Sequence, residues 1–278
     1  NKAITINRYS NIAFVRRYGT ALFGLAVFAF FSIFAENFLS WNNQMILLRQ
    51  MSMLTIVALG FTFVMAAGGF DMSLGNAAGL INVLFGIVYI ATGNLVLAIL
   101  TAILVSLCVS SVNGLLAGVI GLPDFIATFA VGTITYGLKM LITKGNPKTL
   151  PTDFGDTVFF IGQGRIASIP FPVIIMIIMV LITMFILKKT TLGRRIYAIG
   201  GNRTASQYSG INVKKYRFIT FVLAGLFLSL ASVILTSRLG SAQPLAGEDF
   251  MLDTIAAVFL STTMFGEGEP TAEGTFIG

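Results

Sequence analysis

Few groups in this sequence could do chemistry, and their kinds argue for holding and passing a solute rather than for making bonds. There is no histidine, and Cys108 is the single cysteine, so a transition-metal site is not expected and no disulfide can form within the chain. No Gly-x-x-x-x-Gly-Lys-Ser/Thr element occurs, so the chain is not expected to bind ATP through a phosphate-binding loop. No nucleophile–base pair is visible, and no catalytic, cofactor-binding or metal-binding residue is assigned. What remains is Asp71 after Gly68 and Gly69, Asp124 after Pro123, and eight cations without one acid between Lys188 and Arg217. After two glycines, Asp71 is placed to cap a helix beginning at Met72, with Ser73 in its first turn.

These groups must be positioned by membrane helices. The chain is 56% hydrophobic and 10% charged, and a soluble protein of 278 residues could not cover that much apolar surface. Between Asp71 and Asp124 lie 52 residues without a charge, enough for two passes at about 20 residues each. The expectation is an all-α polytopic membrane protein, a single transmembrane domain over residues 1–278. Apolar segments fall at 18–36, 45–67, 72–92, 95–119, 125–143, 166–187, 218–237 and 254–266, with an incomplete ninth from 274. This gives about eight to nine transmembrane helices. The chain starts at Asn1 and stops at Gly278 inside an apolar segment, so both ends read as cut. Cys108, mid-span, is expected as a small core residue.

Charge supplies the sidedness. Placing the amino terminus in the cytoplasm puts residues 2–17 and 188–217 on that side, with twelve of the eighteen Lys and Arg. Arg49 and Lys139, near span ends, are expected to snorkel to the interface. The 188–217 stretch is too patterned for a plain connector. Gly200-Gly201 is expected to break the chain, Asn202 to cap a short helix over 202–210, and Gly210 to end it. Ala205, Ser206 and Ser209 give that helix small residues through which a partner can approach. On the outer side, 144–165 is rich in Pro and Gly, and 238–253 ends in Glu248, Asp249 and Asp253. These acids, on an otherwise basic molecule, are expected to help receive a soluble partner. Asn76, Asn82 and Asn113 are expected to hydrogen-bond between helices. Residues 57–75 and 255–274 form a faint repeat, each running an apolar helix into a Gly- and acid-containing break.

Several segments, from about residue 54 onward, resemble one family in order and spacing. Ala66-Ala67-Gly68-Gly69-Phe70-Asp71-Met72-Ser73-Leu74-Gly75 is similar to a Gly-Gly-Ile/Phe-Asp-Leu-Ser-Val-Gly signature. Leu122-Pro123-Asp124-Phe125-Ile126-Ala127-Thr128 follows, with Asp124 where a second Pro is usual. Phe160 to Ile166 runs on into Ile169-Pro170-Phe171-Pro172-Val173. The strongest piece is Thr191-Leu192-Gly193-Arg194-Arg195-Ile196-Tyr197-Ala198-Ile199-Gly200-Gly201-Asn202, closing with Ser209-Gly210-Ile211-Asn212-Val213. Together they resemble the membrane permease of bacterial ATP-driven sugar importers of the ribose/xylose/galactose type. Met251 before Leu252-Asp253, and the stretch from Gly266 through Glu267, Glu269 and Glu273, depart from that pattern.

The resemblance implies a fold of ten helices in two pseudo-repeated halves, and two permease subunits per transporter, identical or not. It implies a separate cytoplasmic ATPase, which binds the ATP, and a periplasmic or lipid-anchored solute-binding protein, in the bacterial inner membrane. Gly201, Asn202, Ala205, Ser209 and Gly210 would then couple to the ATPase. Gly68, Gly69 and Asp71 would form a moving break beside the pathway, with Phe125, Thr128 and Phe129 as lining candidates. The expected function is binding-protein-dependent import of a monosaccharide or similar polar solute, without enzymatic activity. Two alternatives stay open here: the same machinery serving a nucleoside, signalling furanone or amino acid, and a secondary transporter or channel needing no ATPase.

Overall fold

In lipid the backbone has no partner outside its own segment, so long apolar runs must become helices. The computed structural model of this chain describes Gly19, residues 22–264 and residues 268–278. The basic region 2–17 and Glu267 lie outside the described residues. The helices are α1 (Leu22–Phe34), α2 (Trp41–Ala66), α3 (Leu74–Thr92), α4 (Leu95–Asn113), α5 (Asp124–Thr143), α6 (Thr157–Gln163) and α7 (Phe171–Lys189). They continue with α8 (Thr191–Gly201), α9 (Arg203–Tyr208), α10 (Val213–Leu239), α11 (Phe250–Met264) and α12 (Ala272–Ile277). A π-helical stretch, Gly114–Ile120, extends α4. Four two-residue strands form two small ribbons: β1 (Lys148–Thr149) with β4 (Ser241–Ala242), and β2 (Arg165–Ile166) with β3 (Ile169–Pro170), all antiparallel.

Among the described residues six helices are long and apolar enough to cross a membrane: α2, α3, α4 with its extension, α5, α7 and α10. The eight to nine expected spans divide into these six, the shorter apolar α1 and α11, and the six-residue α12. At the core α10 packs against α2, α3 and α4. Buried aromatic rings lock the first pair, Phe63 meeting Phe227 edge to face at 5.6 Å between centroids. Cys108 is exposed on α4, not in the core, because α4 is the most outward-facing span as well as one of the most apolar.

The 188–217 region is not a loop. It holds the end of α7, all of α8 and α9, and the start of α10. Gly200 and Gly201 do not break the chain; both lie inside α8. Gly200 is small for another reason: a Cβ there would lie 2.1 Å from the Ala66 carbonyl oxygen, so α8 rests directly on the end of α2. Asn202 does cap α9, its side-chain oxygen accepting from the Ala205 amide at 2.9 Å. Gly210 ends it at φ +80°, with Ile211 N–H reaching Ser206 O and Gly210 N–H reaching Gln207 O, both at 3.0 Å. That paired closure is the usual left-handed helix stop.

The expected outer loop 238–253 also folds otherwise. After β4 the chain turns back along α3. Ala242 sits against Gly86, Pro244 against Gly79, and Glu248 against Gly75. Asn82 completes this face by accepting the Gln243 amide at 2.8 Å. Positions 75, 79, 82 and 86 share one side of a helix, so a stripe without bulk admits a non-helical backbone for about 16 Å of its length. Such backbone at depth is tolerated where protein covers it. The consequence is that Lys139 does not snorkel outward. It is fully buried and pairs with Glu248 at 2.7 Å, with its ammonium 5.2 Å from the Tyr136 ring.

A side chain at Gly79 would meet Pro244 O at 2.6 Å and the Lys139 stem at 3.0 Å, whereas Gly137 on α5 faces open space. Gly79→Leu is therefore expected to destabilise the purified protein by about 1–3 kcal/mol, and Gly137→Leu to be neutral. Thermal unfolding of both variants in detergent checks this; equal melting temperatures would mean that the segment is not held against α3.

Candidate functional site

Between α2 and α3, residues 67–73 are irregular, and each exposed backbone group there must find a partner. The Ala67, Gly68 and Gly69 amides close back on the end of α2, and three further groups are met by side chains from elsewhere. Gly68, at φ +66°, has its carbonyl bound by the Arg203 guanidinium from the first turn of α9. The Phe70 amide donates to Asp124 Oδ2 at 3.0 Å. The Met72 amide donates to Thr128 Oγ1 at 2.9 Å, and that hydroxyl donates in turn to Asp124 O at 2.7 Å. The Ser73 amide donates to Asp71 Oδ1 at 2.8 Å, with Ser73 Oγ reaching the same oxygen at 2.7 Å. Asn113, where α4 passes into its π-helical stretch, donates to Ser73 Oγ at 2.7 Å and to Asp71 Oδ1 at 3.4 Å.

Asp71 is not the cap expected of it: α3 begins at Leu74, not Met72, its N-cap is Ser73 with no side-chain cap bond, and Asp71 instead closes a turn on Ser73 just before it. Asp71, Ser73, Ser106, Ser110 and Asn113 line a cavity of about 10 Å³ between α3, α4 and α10, and Asn113 Oδ1 there has no hydrogen-bond partner.

Asp124 is the hub. Its carboxylate takes the Phe70 amide and also both contacts of the Arg217 guanidinium, which separately donates to Ala117 O at 2.7 Å. Arg217 is 5% exposed. In the sequence it counts as one more cation of the basic block; in the fold it is a buried ion-pair member beneath the π-helical stretch. Arg203 faces the same carboxylate from outside. Burial lowers its pKa, the nearby Arg217 charge adds to that, and Asp124 opposes it.

The other expected residues separate into groups. Thr128 belongs to the break as a holder of backbone. Phe125 and Phe129 are exposed on α5, their rings parallel within 4° at 6.1 Å. Gly201, Asn202, Ala205, Ser209 and Gly210 stand exposed around α9, in which Ser206 is buried and donates to Ala198 O at 2.7 Å. Glu248, Asp249 and Asp253 do not form one acidic patch. Glu248 turns to Lys139 and α3, whereas Asp253 lines a groove with Met51 and Leu54 of α2. They part because the chain has already run back along α3 before α11 starts. Asn82 and Asn113 do bond between segments; among the described residues no side-chain hydrogen bond marks Asn76.

Three contributors escaped sequence reasoning: Arg203, Arg217 and Lys139. For Arg217 the one available signal is its position, directly against the apolar run that begins at Phe218. For Arg203 none existed. Among the described residues no group of three or more His, Cys, Asp or Glu side chains gathers in a way that could hold a metal.

Removing one partner of a buried pair strands the other charge, at about 3–5 kcal/mol. Asp124→Asn and Arg217→Met are each expected to destabilise on that scale, and the double variant by clearly less than their sum. A double-mutant cycle of detergent unfolding tests it, and additive losses would mean the pair carries no coupling energy.

A family model described as "Branched-chain amino acid transport system / permease component" matches residues 43–278. The ribose import permease protein RbsC of Bacillus subtilis is 42% identical over 248 residues, covering 89% of this chain and 76% of that protein. RbsC of Escherichia coli is 35% identical over the whole chain and 87% of its own length. The D-allose transport system permease protein AlsC of Escherichia coli is 32% identical over 94% of this chain and 80% of its own length. No solved structure matches the chain at a significant level.

Proposed function

Because the chain belongs to this permease-component family of transport systems, we propose that it is the membrane subunit of an ATP-driven, binding-protein-dependent importer of a monosaccharide. The ribose and allose systems of its relatives support that solute class. The chain itself is read as non-enzymatic and free of cofactor, with ATP bound by a separate cytoplasmic subunit. Two such permease subunits in the bacterial inner membrane, with the basic end and the amino terminus inside, complete the arrangement.

One observation carries the coupling role: α9 is a capped, exposed helix at the basic end that reaches the α2–α3 break through its first residue. A docked ATPase would meet small side chains there and lie one contact from a mobile candidate in the pathway. Pairing of the charges inside the bundle, Asp124 with Arg217 and Lys139 with Glu248, favours an external drive over a proton relay.

A bulky charge at Ala205 would clash with a close partner and be left partly buried, a cost of several kcal/mol. Ala205→Glu is expected to fold and insert normally while ATP-dependent uptake disappears. Uptake at the normal rate, from variant present at wild-type level, would sink the coupling role.

For the binding protein, a docking role of the acids rests on Asp249 and Asp253, since Glu248 is engaged by Lys139. Neutralising those two should weaken docking more at low salt than at high salt. An unchanged salt response would make the segment a connector only.

A further inference from the structure

The charged groups that hold the α2–α3 break flank α9 in sequence. Arg203, its first residue, binds the Gly68 carbonyl. Arg217, five residues into the helix that follows, fixes Asp124, and Asp124 binds the Phe70 amide. Just before α9, Gly200 rests on the Ala66 carbonyl. The break is therefore gripped at successive points by one short stretch of chain, 200–217. The chain just before that stretch reaches α12 and the segment leading into it. Tyr197 of α8 donates to Pro270 O at 2.8 Å, and Lys188 pairs with Glu273. Burial, then the Glu269 and Glu273 charges, push the Tyr197 phenol up to about 12, so it remains a donor through the physiological range.

We propose that Arg203 is a positioning residue through which displacement of α9 is passed to the Gly68–Ser73 break, resting on the coupling role of α9 given above. The physical reason is the cost of the alternative. If α9 moved and the break did not, the Gly68 carbonyl, which lies on the exposed side of the break, would exchange a charged donor for water. Arg203 would also be left beside Arg217 with less of Asp124 to balance it. The break following α9 avoids both costs, so two arrangements of α9 select two arrangements of residues 68–73.

The test uses Arg203→Ala and Arg203→Lys in the full chain. In lipid nanodiscs without ATPase, amide hydrogen exchange over residues 68–73 should rise at least tenfold for Arg203→Ala and recover substantially for Arg203→Lys. With the ATPase added, it should still co-purify, because the guanidinium turns to Gly68. The ratio of hydrolysis with and without loaded binding protein should fall toward one, and uptake should drop at least tenfold. Unchanged exchange, or raised exchange with normal uptake, overturns the proposal. Loss of ATPase co-purification also overturns it, by making Arg203 a docking contact. Normal uptake in Ala205→Glu would instead remove the coupling role of α9 and leave the exchange result standing, so the two failures are distinguishable.

Discussion

A backbone that leaves the helix inside a membrane protein needs partners for its polar groups, and residues 67–73 draw several of theirs from borrowed side chains. Arg203, Asp124, Thr128 and Asp71 between them take the Gly68 carbonyl and the Phe70, Met72 and Ser73 amides. Because these side chains come from α9, α5 and the break itself, the irregular segment ties together elements distant in sequence. Asp124 needs Arg217 to be a tolerable buried carboxylate, and Arg217 needs the Ala117 carbonyl for its other nitrogen. The local irregularity is thus what fixes the mutual placement of α5, α10 and the π-helical end of α4.

The second irregular stretch, 241–249, solves the same problem with different means. Here it is the receiving helix that gives way: Gly75, Gly79 and Gly86 of α3 remove the bulk, and Asn82 supplies the acceptor. Lys139 is then enclosed with Glu248 rather than carried to the interface. The two stretches lie on α3 from both of its sides, one at its start and one along its face, so α3 is the helix on which the non-helical backbone of the bundle converges.

At the basic end, α8 and α9 meet the break before α3, and α8 also reaches the segment before α12 through Tyr197.

The sequence by itself determined the class, the family and the placement of α9. Long uncharged runs leave helices as the available solution in lipid, and Asn202 and Gly210 carry their cap and stop signals locally, within hydrogen-bonding reach of the residues they serve. The sequence also suggested that Asp71 caps α3, whereas the helix starts at Leu74 with Ser73 as its N-cap, and Asp71 holds only the turn before it. What only the tertiary structure decided were partnerships across long separations. Arg217 with Asp124 spans 93 residues, Lys139 with Glu248 spans 109, and Arg203 with Gly68 spans 135. Composition marks Arg217 and Arg203 as topogenic and the acids from Glu248 as a surface patch, because a one-dimensional pattern reports charge without reporting burial. Whether a cation is solvated or enclosed depends on which backbone and carboxylate the fold brings beside it, and that is settled by packing.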